Sequence, residues 1–215
     1  MASGQAVILV LAGVNGAGKS SLGGASIRGR GLQYFNPDEA AKRIRDATGC
    51  AAEEANALAW KEGKERLQAA IARRSNHAFE STLGGQTISA LLVDAARAGI
   101  DVVIWFVGLS TAEQHIARVR ARVAAGGHDI AEDIIRRRWN DSRQHLIDLL
   151  PYAAEVRIFD NSRDGDPAAG TIPEPRLVLH WRRGRIVRPG ARSLRDTPDW
   201  AKPIVAAALA LQASR

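Results

Sequence analysis

Gly13-Val14-Asn15-Gly16-Ala17-Gly18-Lys19-Ser20 follows the pattern G-x-x-x-x-G-K-[ST], and the residues on either side of it decide the fold. The apolar run Ala6-Val7-Ile8-Leu9-Val10-Leu11-Ala12 leads in as a buried strand, and Ser21-Leu22 leads out as a helix. A phosphate group needs this order. The glycines let backbone N–H groups curl around an anion, the helix N-terminus adds the positive end of its dipole, and Lys19 supplies a mobile cation. Gly13, Asn15, Gly16, Ala17, Gly18, Lys19, Ser20 and Ser21 are the expected cradle for the triphosphate of ATP, with the Ser20 hydroxyl as the expected ligand for Mg²⁺. A glycine-rich turn with a chance lysine would need neither the strand before nor the helix after.

Composition agrees and narrows little else. The 215 residues, 46% hydrophobic, suffice for one domain over 1–215, with a core from about 6 to 160 and a C-terminal addition from about 175 to 213. Thirty basic against 23 acidic side chains give a net charge of +7, which suits a protein that handles phosphates. Nucleic acid would also suit that charge, but the arginines are spread through helices and a hairpin without an interleaved aromatic stripe, so small phosphate-rich molecules are the better match. Cys50 stands alone, which excludes a disulfide framework and a thiolate metal site. The start Met1-Ala2-Ser3-Gly4-Gln5 has no basic leader character and the apolar run behind it is too short to span a membrane, so the expected location is cytoplasmic.

Strand-like runs alternate with helical patterns, the mark of a parallel sheet with helices on its faces. Leu32-Gln33-Tyr34-Phe35 reads as a second strand, ending in Asn36-Pro37-Asp38, where Asp38 can cap the helix through Ala40 to Ile44. A helix from about Glu53 to Arg74 puts Leu58, Leu67 and Ile71 on its expected inner face. His77-Ala78-Phe79-Glu80 is a short strand, Thr87 to Arg97 a helix ending at Gly99, and Asp101 to Val107 a strand. Helices Thr111 to Ala125 and Ala131 to Leu150 flank Gly126-Gly127-His128, Pro151 stops the second, and Glu155 to Phe159 is the last strand of the main sheet. Beyond the loop Asn161 to Pro175, two runs around Arg182-Arg183-Gly184 predict a β-hairpin on an edge of the fold, and Trp200 to Gln212 a closing helix. The expected class is α/β, a P-loop NTPase with a mainly parallel β-sheet flanked by helices, plus a C-terminal β-hairpin and helix.

The candidate chemistry lies at the strand ends. Ligands of open α/β sheets sit at the carboxyl ends of strands, where Asp38 falls, 19 positions after Lys19. Phosphoryl transfer asks for alignment, charge neutralisation and a base for the attacking hydroxyl, and Asp38 can be that base or a plain helix cap. Glu80 and Thr82, two apart in an extended segment, point to one side and can hold sugar hydroxyls or amides, or else cap the next helix. Arg118 and Arg122 share a helix face and Arg138 lies on the next helix among Arg136 and Arg137, all candidates for charge on the γ-phosphate. His128 reads as a loop anchor rather than a proton carrier. Leu83-Gly84-Gly85-Gln86 resembles part of the signature of ABC transporter ATPases, but the next strand ends Phe106-Val107-Gly108-Leu109 and carries no acid where that family needs one.

Taken together the chain resembles the zeta toxin family of P-loop kinases from bacterial toxin–antitoxin systems. The resemblance rests on Gly13 to Ser20, Asn36-Pro37-Asp38, Phe79-Glu80-Ser81-Thr82-Leu83, Arg122 to His128, Ile134 to Trp139 and Arg143 to Leu146. It implies that ATP phosphorylates the sugar of UDP-N-acetylglucosamine, with Asp38 as catalytic base, Lys19 as phosphate clamp, and Asn36, Glu80 and Thr82 beside Asp38 on the substrate. It also implies an antitoxin protein as a partner. One departure counts: where well-known members carry an arginine two residues beyond the threonine, this chain has Gly84. That leaves two alternatives to the sugar nucleotide. One is another hydroxyl-bearing acceptor, as in chloramphenicol phosphotransferase, which shares the architecture; the other is a non-catalytic ATP-binding module.

Overall fold

The computed structural model describes residues 5–20, 23, 34–163 and 174–214. Ser21-Leu22 and Leu32-Gln33, expected in a helix and a strand, lie outside the described residues, as do residues 164–173 of the expected loop.

Among the described residues, seven strands form one sheet in the order β2-β3-β1-β4-β5-β6-β7. These are β1 (Val7–Ala12), β2 (Tyr34–Phe35), β3 (His77–Ser81), β4 (Asp101–Gly108), β5 (Glu155–Asp160), β6 (Arg176–Arg182) and β7 (Arg185–Arg188). The first five run parallel; β6 and β7 are antiparallel additions beside β5. The expected hairpin on an edge is therefore present, and it continues the main sheet past β5. The helices are α1 (Pro37–Thr48), α2 (Ala52–Arg73), α3 (Gln86–Arg97), α4 (Ala112–Ala124), α5 (Glu132–Leu149) and α6 (Lys202–Ala213). No described helix is long and apolar enough to cross a membrane.

Strand β1 is central and buried on both faces, with Ile8, Val10 and Ala12 in one apolar cluster and Leu9 and Leu11 in another. This is why it reads as a continuous apolar run rather than an alternating one. Its register against β3 and β4 sets Ala12 beside Ser81 and Phe106, so the chain leaves the sheet between two strand ends. Gly13 follows at φ +138, and a Cβ there would lie 2.2 Å from the Val107 carbonyl oxygen, so glycine is obligatory at this exit.

Two local expectations are corrected. Asn36, not Asp38, caps α1: its Oδ1 accepts from the backbone N–H groups of Asp38 and Glu39 at 2.8 and 3.3 Å, and Pro37 opens the first turn. In α2 the expected inner face holds for Leu67, which is buried, and Ile71, which packs against the core, but Leu58 is 43% exposed and the rest of the inner face is small, Ala55, Ala59 and Ala70 with Gly63 against the Phe35 ring. Close packing of α2 on its neighbours selects the alanine stripe over the larger side chain.

The C-terminal part closes back on the sheet. After two 3-10 turns, Ala191–Asp196 and Asp199–Ala201, helix α6 buries Ile204, Val205 and Ala208. Trp200 packs so tightly over Gly108 that a Cβ there would sit 2.3 Å from its ring, and its Nε1 donates to Asp160 at 3.1 Å.

Candidate functional site

The loop after β1 is held from three sides. The Gly13 N–H donates to the Ser81 carbonyl at 3.1 Å, Asn161 Nδ2 donates to the Ala17 carbonyl at 2.8 Å, and His115 Nδ1 donates to the Asn15 carbonyl at 2.8 Å. A carbonyl only accepts, so His115 carries its proton on Nδ1. The imidazole is 1% exposed, and desolvation lowers its pKa to about 4 against the pull of its hydrogen bond, with Lys19 and Arg118 adding repulsion. It is therefore a neutral strut. Lys19 and Ser20, directly after Gly18, have helical backbone. Burial lowers the Lys19 pKa; Glu80 and Asp38 oppose that shift, while Arg122 and Arg138 add to it.

Glu80 is 7% exposed at the end of β3, and one of its oxygens, Oε1, is crowded with donors. Ser20 Oγ reaches it at 2.9 Å, Asn36 Nδ2 at 3.3 Å, and the Tyr34 hydroxyl also donates to it. Glu80 thus grips the serine of the phosphate loop, a link between residues 60 apart in the chain. Neither Glu80 nor Thr82 caps a helix: α3 begins after Gly85 without a side-chain cap, and Thr82 Oγ1 instead accepts from the Gly84 N–H at 3.3 Å. Leu83 between them takes φ +50, and its carbonyl receives His145 Nδ1 at 2.6 Å.

A cleft of about 550 Å³ opens over these strand ends. Its lining includes Asn15, Lys19, Asn36, Asp38, Glu80, Thr82 and Arg138, so these seven sequence-nominated residues share one cavity. The Asp38 side chain accepts no hydrogen bond from a described residue, and its charge is felt by both Lys19 and Arg138. Arg138 Nη1 donates to Asn15 Oδ1 at 2.9 Å. Its aliphatic stem lies where a side chain at position 84 would go: a Cβ on Gly84 would meet Arg138 Cγ at 2.6 Å.

The other nominated arginines stand elsewhere. Arg118 donates to the Asn161 carbonyl at 2.9 Å and underpins the loop from outside the cleft. Arg122 donates to the His128 carbonyl at 3.1 Å, bracing the turn between α4 and α5, and His128 is itself among the residues that line the cleft. Arg136 pairs with Glu113, whereas Arg137 lines the cleft. Ser21 lies outside the described residues. Sequence reasoning passed over Tyr34, His115, Asn161 and Trp60; the first three act through contacts 46 to 144 residues apart, which no local pattern reveals.

A model of the zeta toxin family matches residues 1–164. The chain belongs to the zeta toxin family. Among solved structures, a chain of the PezAT chromosomal toxin–antitoxin system of Streptococcus pneumoniae superposes at TM-score 0.58 and 14% identity, covering 98% of this chain and 87% of its own. The complex of AvrRxo1-ORF1 and -ORF2 with ATP gives TM-score 0.60 and 14% identity over 92% of this chain and 65% of its own. At such identities the likeness concerns the fold. A protein of unassigned function from Haemophilus influenzae is 39% identical over 70 residues, which spans 33% of this zeta toxin family chain and half the length of that relative.

Proposed function

We propose that this zeta toxin family protein is an ATP-dependent kinase that phosphorylates a sugar hydroxyl of UDP-N-acetylglucosamine or a related nucleotide sugar. The observation that carries the reading is the Asp38 carboxylate, which lines the same cleft as Lys19 and Arg138 and accepts no hydrogen bond from a described residue. In the reaction the acceptor hydroxyl gives its proton to Asp38 as its oxygen bonds to the γ-phosphorus; the bond from that phosphorus to the β,γ-bridging oxygen breaks and ADP leaves. Lys19 and Arg138 bear on the charge that spreads over the transferred group, and Thr82 offers a hydroxyl to the acceptor.

The donor set fits a magnesium ion: a hydroxyl and a carboxylate, both hard oxygen ligands, meet at Ser20 and Glu80. Bound there with the nucleotide, the ion would neutralise charge on the β- and γ-phosphates. Glu80 then serves the metal side of the site through Ser20 as well as the acceptor side. Residues 1–215 work as one unit in this reading, in the cytoplasm, where ATP and nucleotide sugars occur. The toxin–antitoxin system to which the PezAT neighbour belongs favours a protein antitoxin as partner.

The test is incubation with Mg-ATP and a panel of UDP-N-acetylglucosamine, nucleosides and chloramphenicol, followed by product mass. One added phosphate on the sugar nucleotide alone is the expected result, and a gain on chloramphenicol alone would replace the acceptor. Asp38→Asn should lose transfer by roughly a hundredfold or more while ATP affinity stays within about twofold. An unchanged rate in that variant would remove the base assignment.

A further inference from the structure

One stretch of the cleft lining comes from α2, and its composition is specific. Asn56, Ala59, Trp60 and Gly63 line the cleft at the i, i+3, i+4, i+7 spacing of a single helix face. Ala59 is buried and Gly63 closes against the Phe35 ring, so the small residues bring the helix in while Trp60 stands out from it. Trp60 is 50% exposed, the most open aromatic in the cleft, and Lys64 one turn on sets its ammonium 5.3 Å from the indole centroid. Phe35, Phe79 and Ile88 continue the apolar lining beside it. A tryptophan left half bare inside a cavity, rather than on a convex surface, offers one flat apolar face to whatever enters. Arg137 opens onto the same cavity and makes no ion pair with a described residue, so an anionic group on the entrant finds a free guanidinium.

We propose that Trp60 is a specificity-determining residue: its indole stacks on a planar ring carried by the acceptor, with Arg137 on an anionic linker between that ring and the hydroxyl that is phosphorylated. The inference rests on the kinase reading for the hydroxyl but not for the ring. It assigns the acceptor to alcohols that bear a heteroaromatic or aromatic ring and an anionic group, and excludes simple sugar phosphates as good substrates. Stacking on an indole is tolerant of ring identity, so Trp60 selects for flatness while Asn56, with both donor and acceptor, is placed to read the ring's edge.

The test measures binding to the whole protein saturated with Mg²⁺ and a non-hydrolysable ATP analogue, which keeps probes out of the nucleotide site. UDP serves as the probe with a ring and an anionic linker, N-acetylglucosamine 1-phosphate as the ring-free one. Trp60→Ala should weaken UDP binding by about tenfold or more, leave the ring-free probe within about twofold, and leave ATP affinity unchanged. Trp60→Phe should restore most of the UDP affinity. Because Trp60 is half exposed, both variants should melt close to the parent. Equal affinity of parent and Trp60→Ala for UDP, or no binding of UDP by the parent, overturns the proposal. Loss of ring affinity in Trp60→Ala with no phosphoryl transfer by the parent would keep the platform and overturn the kinase reading alone.

Discussion

Gly84 shows how one missing side chain can shape a site. With no Cβ in the way, the stem of Arg138 lies across the turn after β3 and its head reaches Asn15 in the phosphate loop. Gly84 does not need a positive φ, so alanine fits the backbone, and its Cβ would meet the Arg138 stem, with Cγ at 2.6 Å and Cβ at 3.3 Å, and Thr82 Oγ1 at 3.3 Å. Gly84→Ala is expected to keep the fold and lower kcat by about tenfold or more through a displaced Arg138. In an Arg138→Ala background the same change should cost much less; equal costs in both backgrounds would show that the two residues are not coupled. The importance of position 84 was visible in the chain as a departure from the family pattern. What replaces it was not, because Arg138 is 54 positions away and only the packing of α5 brings it there.

At the scale of elements, the strands were easier to read than the faces of the helices. β1 and β4 announce themselves through apolar runs, β5 through apolar residues set between charged ones, and Asn36-Pro37 through cap chemistry, although the cap belongs to Asn36 and leaves Asp38 to the cleft. On α2, Leu67 and Ile71 were placed correctly and Leu58 was not, because Leu58 outweighs alanine on any hydrophobic scale, while the helix needed thin residues for close approach and gave its large aromatic, Trp60, to the cavity. The hairpin carries a conflict of its own. Arg182 stands directly opposite Arg185 across β6 and β7, both exposed, and neither makes an ion pair with a described residue. Like charges in facing positions destabilise a sheet, so Arg185→Thr should raise stability by about 0.2–1 kcal/mol in urea unfolding at low salt. The gain should shrink at high salt, where screening already relieves the repulsion. A loss of stability would mean the arginine stems contribute more by packing than the charges cost.

For the whole molecule, the buried neutral imidazole of His115 ties stability to pH. Its pKa is about 4 in the fold against an ordinary value of 6.5, so between those values the unfolded chain binds a proton that the native state refuses. Stability is therefore complete above about pH 6.5 and falls as the pH drops toward 4, by on the order of 3 kcal/mol from this group. His77, lowered chiefly by desolvation, adds a slope of the same sign. Urea midpoints at pH 7 and pH 4.5 should differ more for the parent than for His115→Gln, and parallel profiles would dismiss His115 as the source. The same scale separates what sequence could and could not yield. The phosphate loop is a contiguous signal and was legible, whereas its supports, His115 from α4 and Asn161 past β5, meet it only through the folded sheet. Asn161 follows β5, and β5 is paired on its outer side by β6 and steadied through Asp160 by Trp200. A ribosome making this chain thus releases the loop after β1 long before the segments that brace it, so its contacts with Asn161, and those of Asp160 with Trp200, form only after those residues have cleared the exit tunnel.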